Sequence, residues 1–563
     1  MSDQVRLWAP NARRVELLVE DSRAELSRKS DGWWAGPMLA AGDRYAFSVD
    51  GGPPRPDPRS RWQPEGVHGW SRWLDLAPLR STVASPVVPL RDALIYELHV
   101  GTFSAAGTFA GAIPHLDHLA QLGVTHVELM PIAQFSGVHG WGYDGVDLFA
   151  AHEPYGGPTG LHELIRACHE RKLAVLIDVV PNHFGPDGAY LHELGPYTHH
   201  KHTTPWGDAV NLDGEGSREV RRFLIESCTT WLRDYGADGL RLDAIHALRD
   251  DSERHFVAEL TDTVHGLERE LGRRLVLIGE YDEHDPYVVT ERAAGGWGLD
   301  AHWNDDFHHA VHALLAGEHG GYYQDFADRN TLVKALEQGY VLDGCESPFR
   351  ACAHGKPFGS RSRDRLVAYI QSHDQVGNRA AGERLHHLCG TARARIAAAL
   401  LFTSPFVPMI FQGEEWAAST PFCYFADHES TELRRAVREG RRAEHAAAGW
   451  SGVEIDPIDP RTRALGVLRW DEHDEPEHRA MLAWYRALAD ARKAIPALRD
   501  PACDSTRARF EDALFVVERA GYRLVCNLTD EPVRTALGDV VLASDDRAST
   551  QELPGWSCVL ARQ

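Results

Sequence analysis

Near the middle of the chain, residues 239–246 read Gly239-Leu-Arg-Leu-Asp-Ala-Ile-His246, an apolar segment that carries one arginine and one aspartate. The leucines and the isoleucine suit a buried β-strand, in which Arg241 and Asp243, two residues apart, face the same side. A fixed cation beside a carboxylate favours the ionised form and lowers its pKa. The pair therefore indicates either a structural ion pair within a strand or a carboxylate kept ionised to act as a nucleophile.

On both sides of this segment, from about residue 90 to about residue 500, short apolar runs alternate with helical patterns, which is typical of repeated βα units. We predict helices over Ala112–Leu122, Gly160–Arg171, Glu219–Tyr235, Ser252–Leu271 and Arg393–Phe402. We predict strands over Leu94–Val100, His126–Pro131, Ala174–Val180, Gly239–Ile245, Val276–Glu280, His302–Phe307, Leu366–His373 and Val407–Gln412. Eight strands over about 400 residues predict a (β/α)₈ (TIM) barrel that carries insertions.

The segments that flank the predicted barrel have the character of β-structure. Short alternating runs, bounded by turn signals, predict an N-terminal β-sandwich and a small C-terminal β domain. These runs are Val5–Trp8, Val15–Val19 and Arg44–Val49 at the start, and Ala513–Val517 and Tyr522–Cys526 at the end. We predict a multidomain α/β protein with domains over residues 1–88, 89–503 and 504–563. Residues 182–216 show little periodicity, and we interpret them as an excursion after the third strand.

Composition and charge narrow the possible functions. Of the 563 residues, 43% are hydrophobic and 25% are charged, the proportions of a globular protein. The formal net charge of −23 would repel phosphate backbones and anionic lipids, so we expect neither nucleic acid nor a membrane as a partner. The opening Met1–Trp8 has no charged-then-apolar leader, and no apolar run is long enough for a bilayer. The nine cysteines are dispersed without CxxC spacing, so we expect a cytoplasmic protein with reduced thiols.

Polar residues follow the ends of four predicted strands, where a barrel of this kind places its catalytic groups. These strand ends carry Asp178–His183, Arg241 with Asp243, Glu280, and Ser372–Asn378. Carboxylates at neighbouring strand ends converge on one pocket, in which one carboxyl can stay ionised to attack and another can hold a proton for a leaving oxygen. This division of roles is the two-carboxylate chemistry of glycoside cleavage.

Four short motifs follow one another along the chain: Asp178–His183, Gly239–His246, Ile278–Glu280 and His373–Asn378. In these motifs the chain resembles the α-amylase superfamily of retaining glycosidases, and the resemblance extends over nearly all of its length. The N-terminal segment is similar to the domain that precedes the barrel in branching and debranching members. The resemblance implies an oligosaccharide substrate and no cofactor. Because we find no full set of oxygen ligands for a calcium ion, we also predict no bound metal.

The resemblance implies a role for each carboxylate. Asp243 would be the nucleophile that forms a covalent glucosyl intermediate, and Glu280 the general acid and then the base that activates water. Asp374 would grip sugar hydroxyls most tightly when the ring distorts, which favours the transition state. Arg241 would hold Asp243 ionised. The other residues that the resemblance assigns to the sugar are Tyr143, as an aromatic platform, and His183, His246, His373 and Gln375.

Four further segments carry a more specific resemblance: Tyr96–Phe103, Gly142–Phe149, Asn304–His309 and Gly413–Pro421. In them the chain is similar to the maltooligosyltrehalose trehalohydrolases, which hydrolyse the α-1,4 bond next to a terminal trehalose unit. Trehalose is bent and non-reducing, so it needs polar contacts of its own. Our candidates for these contacts are Asn304, Asp305, His308 and His309. Alternatively, the same run caps a helix, with Asp305 as the N-cap and the histidines in solvent.

Two other functions stay open. The same scaffold serves branching enzymes and α-amylase-type hydrolases, and Pro181, Tyr281–His284 and Ser372 depart from the usual pattern beside the pocket. A carbohydrate-binding protein without catalysis would be expected to lack one of the carboxylates, whereas this chain has all three. The oligomeric state is not indicated by the sequence.

Overall fold

The computed structural model describes residues 4–80, 83–447 and 455–563, and its centre is a closed barrel of eight parallel strands. The strands follow one another around the barrel in chain order: Ile95–Leu98, His126–Leu129, Ala174–Val179, Gly239–Leu242, Val276–Gly279, Ala301–Trp303, Leu366–Ala368 and Val407–Phe411. The eighth strand pairs with the first, Met409 opposite Ile95, which closes the barrel. The predicted TIM barrel is therefore confirmed.

Every residue of the eight strands is buried, because helices cover the outside of the barrel and side chains fill its inside. An apolar cluster that includes Ile95, Leu176 and Val407 occupies the interior. Glu97 lies two residues beyond Ile95 on the first strand, and Asp178 lies two residues beyond Leu176 on the third. Residues two apart in a strand share a face, so both carboxylates also point into the barrel. A charged layer thus overlies the apolar layer towards the C-terminal ends of the strands.

All eight strands end before the residue that the sequence predicts, and the sixth and seventh end at least four residues early. The sixth ends at Trp303 rather than Phe307, because the helix Asp305–Ala316 begins two residues later. The seventh ends at Ala368 rather than His373, and a short helix, His373–Gly377, follows it. Ser372 caps this helix by accepting a hydrogen bond from the backbone N–H of Gln375 (3.3 Å).

Helices surround the barrel, and most of the longer ones bury apolar side chains. The longer ones are Leu116–Leu122, Gly157–Glu170, Ser217–Thr230, Phe256–Leu271, Asp305–Ala316, Asn330–Gln338, Leu385–Thr403, Thr431–Ala447 and Pro476–Ala494. The predicted helix Ala112–Leu122 is broken into short turns before Leu116, where Pro114 interrupts it. Within the described ranges, no helix has both the length and the apolar character needed to cross a membrane.

Three β-hairpins extend from the barrel above the strand ends. The excursion after the third strand contains a short helix, Leu191–Leu194, and one hairpin, Thr198–Thr204 with Gly207–Val210. The others pair Ala133–Phe135 with Gly145–Ala151 and Asp343–Ser347 with Cys352–Gly355. These hairpins carry Trp206, Tyr143 and His354 to positions above the barrel.

Antiparallel sheets precede and follow the barrel, as the sequence predicts. Two sheets at the start comprise Gln4–Trp8, Ser27–Arg28 and Trp33–Met38, and Val15–Val19, Ser22–Glu25, Arg44–Val49 and Ser71–Arg72. One five-stranded sheet at the end comprises Arg507–Glu511, Leu514–Arg519, Tyr522–Asn527, Asp539–Ala543 and Ser557–Arg562. Residues 1–3 of the opening segment lie outside the described residues. The domain limits at residues 88 and 503 stay a prediction.

Candidate active site

The ends of the third, fourth and fifth strands meet at Arg241. Its Nη1 donates to Asp178 Oδ2 (2.8 Å) and Asp243 Oδ1 (2.9 Å), and its Nη2 donates to Glu280 Oε2 (2.8 Å). Because Asp243 and Glu280 bond to one guanidinium, their bonded oxygens lie within about 8 Å of each other, inside the range that two-carboxylate glycoside hydrolysis uses. The predicted convergence of strand-end carboxylates is therefore present in the structure.

Arg241 can be buried here because both terminal nitrogens of its guanidinium bond to carboxylates and an aromatic ring covers one face. The side chain is 1% exposed, three carboxylates bond to its nitrogens, and the ring of Trp303 lies 4.2 Å from its Cζ. Cation–π contact and charge-assisted hydrogen bonds offset the desolvation of a buried charge. Burial raises the pKa of Asp178 to about 7, against the lowering effect of Arg241.

The electrostatics of Asp243 differ from the prediction. Burial and the neighbouring Glu280 carboxylate raise the pKa of Asp243 to about 6, even though Arg241 and Asn182 act to lower it. Burial also acts to raise the pKa of Glu280, but Arg241, the backbone N–H of Ala244 and His246 outweigh it, and the net pKa is lowered. The expectation that Arg241 leaves Asp243 with a low pKa is wrong, because burial and a second carboxylate act more strongly.

Glu97 at the end of the first strand, which sequence reasoning missed, holds His373. The His373 backbone N–H donates to Glu97 Oε2 (2.9 Å), and its Nδ1 donates to Glu97 Oε1. His373 Nε2 lies 2.8 Å from the hydroxyl of Tyr143, which donates to Asp178 Oδ2 (2.7 Å). Burial acts to lower the pKa of His373, but Glu97 raises it above its ordinary value. A continuous polar chain therefore runs from Glu97 to Asp178 and on to Arg241.

Asn182, in the loop after the third strand, orients Asp243. Its Nδ2 donates both to Asp243 Oδ2 and to the Asp243 backbone oxygen, each at 2.7 Å. The neighbouring His183 donates from Nε2 to the backbone oxygen of Tyr143 (3.0 Å) and contacts Asn182 Oδ1 through Nδ1. Its ring stacks parallel on the half-exposed Trp206, with ring centroids 4.7 Å apart. Asn182 and Trp206 are further site residues that sequence reasoning did not assign.

Asp374 and Gln375 follow His373 on the short helix at the mouth of the barrel. Asp374 Oδ1 accepts from Asn378 Nδ2 (2.5 Å), and burial raises the pKa of Asp374. Gln375 Nε2 donates to Asp305 Oδ1 (3.2 Å), which links the seventh strand end to the sixth. Tyr369 also donates to Asp305, whose pKa burial raises to about 7.

The run Asn304–His309 does cap a helix, but not as the sequence predicts, and its contacts with trehalose stay a prediction. Asn304, not Asp305, is the N-cap residue of the helix, and its Nδ2 donates to the Gly339 backbone oxygen (3.2 Å). His308 is buried, and His309 is half-buried and stacks on Tyr322 with ring centroids 4.6 Å apart. The alternative with Asp305 as N-cap and solvated histidines is wrong, because aromatic rings cover this face of the helix. Of the four candidates, Asp305 is the one that bonds to Gln375, the neighbour of Asp374.

His246 lies beyond Asp243 on the same strand end. It is partly buried, and its charge lowers the pKa of Glu280. It lines a surface cleft together with Tyr281, His255 and Trp297. The structure therefore places His246 on the Glu280 side of the site, next to the catalytic residues that the sequence predicts.

Two groups of side chains within the described ranges have ligand atoms close enough to hold a metal ion: Asp282, His284 and His354, and His202, Asp213 and Asp251. In the second group the ammonium of Lys201 lies 2.6 Å from Asp213 Oδ2 and 2.8 Å from Asp251 Oδ2. A cation of the chain itself therefore neutralises that group. The absence of a metal and of a cofactor from the reaction stays a prediction.

Comparisons with known proteins agree with this geometry. Residues 84–206 match the family model of the α-amylase catalytic domain, and residues 496–560 match a domain of unknown function, DUF3459. The chain is 47% identical over 549 residues to the malto-oligosyltrehalose trehalohydrolase of Arthrobacter ramosus, covering 95% of this chain and 94% of that protein. It is 43% identical over 574 residues to the protein of the same name from Mycobacterium tuberculosis, covering 99% of each.

Solved structures are similar over the whole chain. A structure from Salmonella typhimurium described as a putative α-amylase has a TM-score of 0.91 at 36% identity, covering 100% of this chain and 97% of that chain. A pullulanase of Anoxybacillus complexed with maltotetraose has a TM-score of 0.75 at 19% identity, covering 100% of this chain and 86% of that chain. The second similarity shows the shared fold.

Proposed function

The chain belongs to the family of malto-oligosyltrehalose trehalohydrolases, and from this membership we propose that it is a retaining glycoside hydrolase that releases trehalose from maltooligosyltrehalose. The bond cleaved is the α-1,4-glucosidic bond next to the terminal trehalosyl unit, and the second product is a maltooligosaccharide. The observation that carries the proposal is the pairing of Asp243 and Glu280 on one buried guanidinium, in a chain that aligns with these enzymes over nearly its full length.

We assign the covalent step to Asp243. Its carboxylate attacks the sugar C1 and forms a glucosyl ester, while the leaving trehalose oxygen takes a proton from Glu280. Water then attacks the same carbon, Glu280 takes its proton, and the ester bond to Asp243 breaks. Both hydrogen bonds from Asn182 hold the aspartate in position for attack, and Arg241 stabilises its negative charge once the ester has been cleaved.

Substrate binding must move a proton from Asp243 to Glu280. In the free site Asp243 has the raised pKa and Glu280 the lowered one, the reverse of what the first step needs. We infer that a sugar entering between the two carboxyls separates Glu280 from Arg241. Without that ion pair, the largest lowering effect on Glu280 is gone and burial raises its pKa, so that the proton moves to the acid. Asp243, still bonded to Arg241 and Asn182, is then the ionised partner.

The substrate contacts are assigned by position. Asp374, held by Asn378, is close enough to Glu280 for the two charges to interact, and it would bind sugar hydroxyls. Tyr143, His183 and His373, which are linked to one another by hydrogen bonds, would line the same subsite, and His246 would adjoin the leaving group. For the trehalose unit we propose Asp305 and Gln375 as direct contacts, because they bond to each other at the barrel mouth. Asn304, His308 and His309 would support these contacts indirectly: His309 stacks on Tyr322, whose hydroxyl donates to Gln375 Oε1 (3.2 Å).

The partner and the product follow from this activity, and the cysteines indicate the location. Maltooligosyltrehalose is the partner, and the reaction supplies free trehalose. We place the protein in the cytoplasm, where its nine cysteines remain thiols, as all nine are in the structure.

The proposal is tested by incubating the purified protein with maltotriosyltrehalose. We expect trehalose and maltotriose in equal amounts, with the new reducing end of the maltotriose first appearing as the α-anomer by NMR, since double displacement retains configuration. A branching enzyme is the alternative: one from Bordetella parapertussis is 31% identical over 358 residues, covering 54% of this chain. New α-1,6 linkages in amylose without trehalose release would show that alternative to be correct.

A further inference from the structure

A second polar cluster joins the loop after Glu280 to a hairpin. The loop provides Asp282 and His284, and the hairpin Asp343–Ser347/Cys352–Gly355 provides His354. The backbone N–H of Lys356 donates to the backbone oxygen of His284 (2.9 Å), so the two segments are also linked through the main chain. None of these side chains has a part in the hydrolysis described above.

The spacing of the two imidazoles matches that of two ligands on one ion. His284 Nδ1 lies 3.2 Å from His354 Nε2. Two nitrogens bound at 2.0–2.1 Å to a tetrahedral zinc ion lie about 3.3 Å apart. A carboxylate oxygen of Asp282 completes a set of three ligand atoms that all lie within 4.8 Å of one another.

A carboxylate behind His284 fixes its ring with Nδ1 facing His354. On the far side of the ring, Nε2 donates to Asp306 Oδ1 (3.0 Å). Asp306 is fully buried, and its other oxygen accepts from the backbone N–H groups of Val341 (2.6 Å) and Leu342 (3.0 Å). A histidine whose second nitrogen donates to a carboxylate is the usual outer arrangement of a metal ligand, because it fixes the tautomer and increases the basicity of the binding nitrogen.

We propose that Asp282, His284 and His354 form a binding site for a divalent transition-metal ion, with Zn²⁺ as the best match. Two imidazole nitrogens and one carboxylate oxygen are a ligand set that suits zinc, cobalt or nickel. Calcium and magnesium prefer oxygen ligands alone. His284 is buried, whereas Asp282 is exposed, so the ion would enter from solvent on the aspartate side and keep water in its fourth position.

Three existing hydrogen bonds make this a weaker site than a structural zinc centre. Arg350 donates to Asp282 Oδ1, which leaves the other oxygen for the ion. The backbone oxygen of Asp282 lies 2.9 Å from His284 Nδ1 and 2.8 Å from His354 Nε2, and an ion would replace these hydrogen bonds. Bound metal would tie the hairpin to the loop that begins one residue after Glu280, and would stabilise both against opening.

The second histidine–carboxylate group provides a matched control. His202, Asp213 and Asp251 are equally close together, but Lys201 already places a cation between the two aspartates. Replacing His202 therefore removes a histidine of similar setting without affecting the proposed site.

The experiment measures zinc binding to the full chain, cleared of metal with a chelator, by equilibrium dialysis and titration calorimetry. We expect one equivalent of Zn²⁺ whose dissociation constant rises at least about tenfold in His354→Gln and in Asp282→Asn, and is unchanged in His202→Gln. Co²⁺ should give the visible absorption of a low-symmetry site in the wild type and lose it in His354→Gln. Both variants change partly exposed positions, and an unchanged melting temperature without metal shows that they are folded.

Two outcomes would overturn the proposal. One is a wild-type isotherm that His354→Gln and Asp282→Asn leave unaltered, since the zinc would then be bound by other histidines. The other is loss of the tightly bound zinc ion in His202→Gln alone. Neither outcome bears on trehalose release, so failure of this proposal is distinguishable from failure of the proposed function.

Discussion

Replacing Glu97 with glutamine removes one charge from the barrel interior and leaves the shape of the side chain unchanged. In the wild type, both oxygens of Glu97 accept from His373, one from the backbone N–H and one from Nδ1. A glutamine has a single acceptor, so one of the two hydrogen bonds is lost and an amide N–H faces a donor. His373 is then less firmly held against Tyr143 and Asp178, and its pKa falls.

The magnitude follows from the bond that is lost. A hydrogen bond to a charged group is worth about 1.5–3 kcal/mol. If the transition state depends on the position of His373, kcat/KM falls by about 10- to 100-fold, because each 1.4 kcal/mol is about a factor of ten. We expect most of this loss in kcat, because a hydrogen bond from His373 to the sugar would matter most in the distorted transition state.

Glu128 is the matched control. It stands opposite Glu97 in the register of the first two strands, and both residues are 1% exposed. Among the described residues neither oxygen of Glu128 has a hydrogen-bond partner, and burial raises its pKa well above the ordinary value, which favours the neutral form. Glu128→Gln should therefore leave kcat/KM within about threefold of wild type.

The assay is the initial rate of trehalose release from maltotriosyltrehalose by both variants over a range of substrate concentrations and pH values, with melting temperatures measured in parallel. Equal losses in Glu97→Gln and Glu128→Gln would refute the reasoning, because they would show that any change in the barrel interior slows the reaction. A Glu97→Gln variant with full activity would refute it as well.

Three further predictions concern the carboxylates. Asp243→Asn should lose about 10³-fold or more in kcat while oligosaccharide affinity by calorimetry stays within about tenfold, and full activity would disprove a nucleophilic role. Because the first step needs one proton on the pair of carboxyls, and in the free site Asp243 holds that proton with a pKa of about 6, kcat/KM should fall as the pH rises above about 6; a fall in kcat/KM as the pH drops from about 6 towards about 5 would contradict this proton transfer. Asn182→Ala removes both amide hydrogen bonds to Asp243 and so raises its pKa, which should move the same basic limb up by about one pH unit, and a limb that does not move would mean that Asn182 has no part in setting the pKa of Asp243.

The amino-acid sequence by itself predicts the barrel, the sheets on either side of it and the three carboxylates. These features depend on local patterns: apolar runs of strand length, helical periodicity between them, and acidic residues at the point where a buried strand ends. A polar residue at the end of a buried strand can be recognised from the sequence alone as a candidate functional residue, because burying a polar group without a partner is costly. For that reason the order of residues along the chain is enough to point to Asp243 and Glu280. Asp374 lies on a helix beyond the end of the seventh strand, and its assignment and the roles of all three carboxylates come from the resemblance to the α-amylase superfamily.

Only the tertiary structure decides which groups act on these carboxylates. Glu97 contacts His373 across 276 residues of chain, and no local pattern marks it, since Glu128 occupies the equivalent position on the next strand and has no hydrogen-bond partner among the residues that the structure describes. The raised pKa of Asp243 likewise depends on burial and on the distance to Glu280, which the strand order fixes. Sequence spacing specifies that Arg241 and Asp243 share a face. The pKa of Asp243, however, depends on the combined effect of all its neighbours in space, and only folding brings those neighbours together.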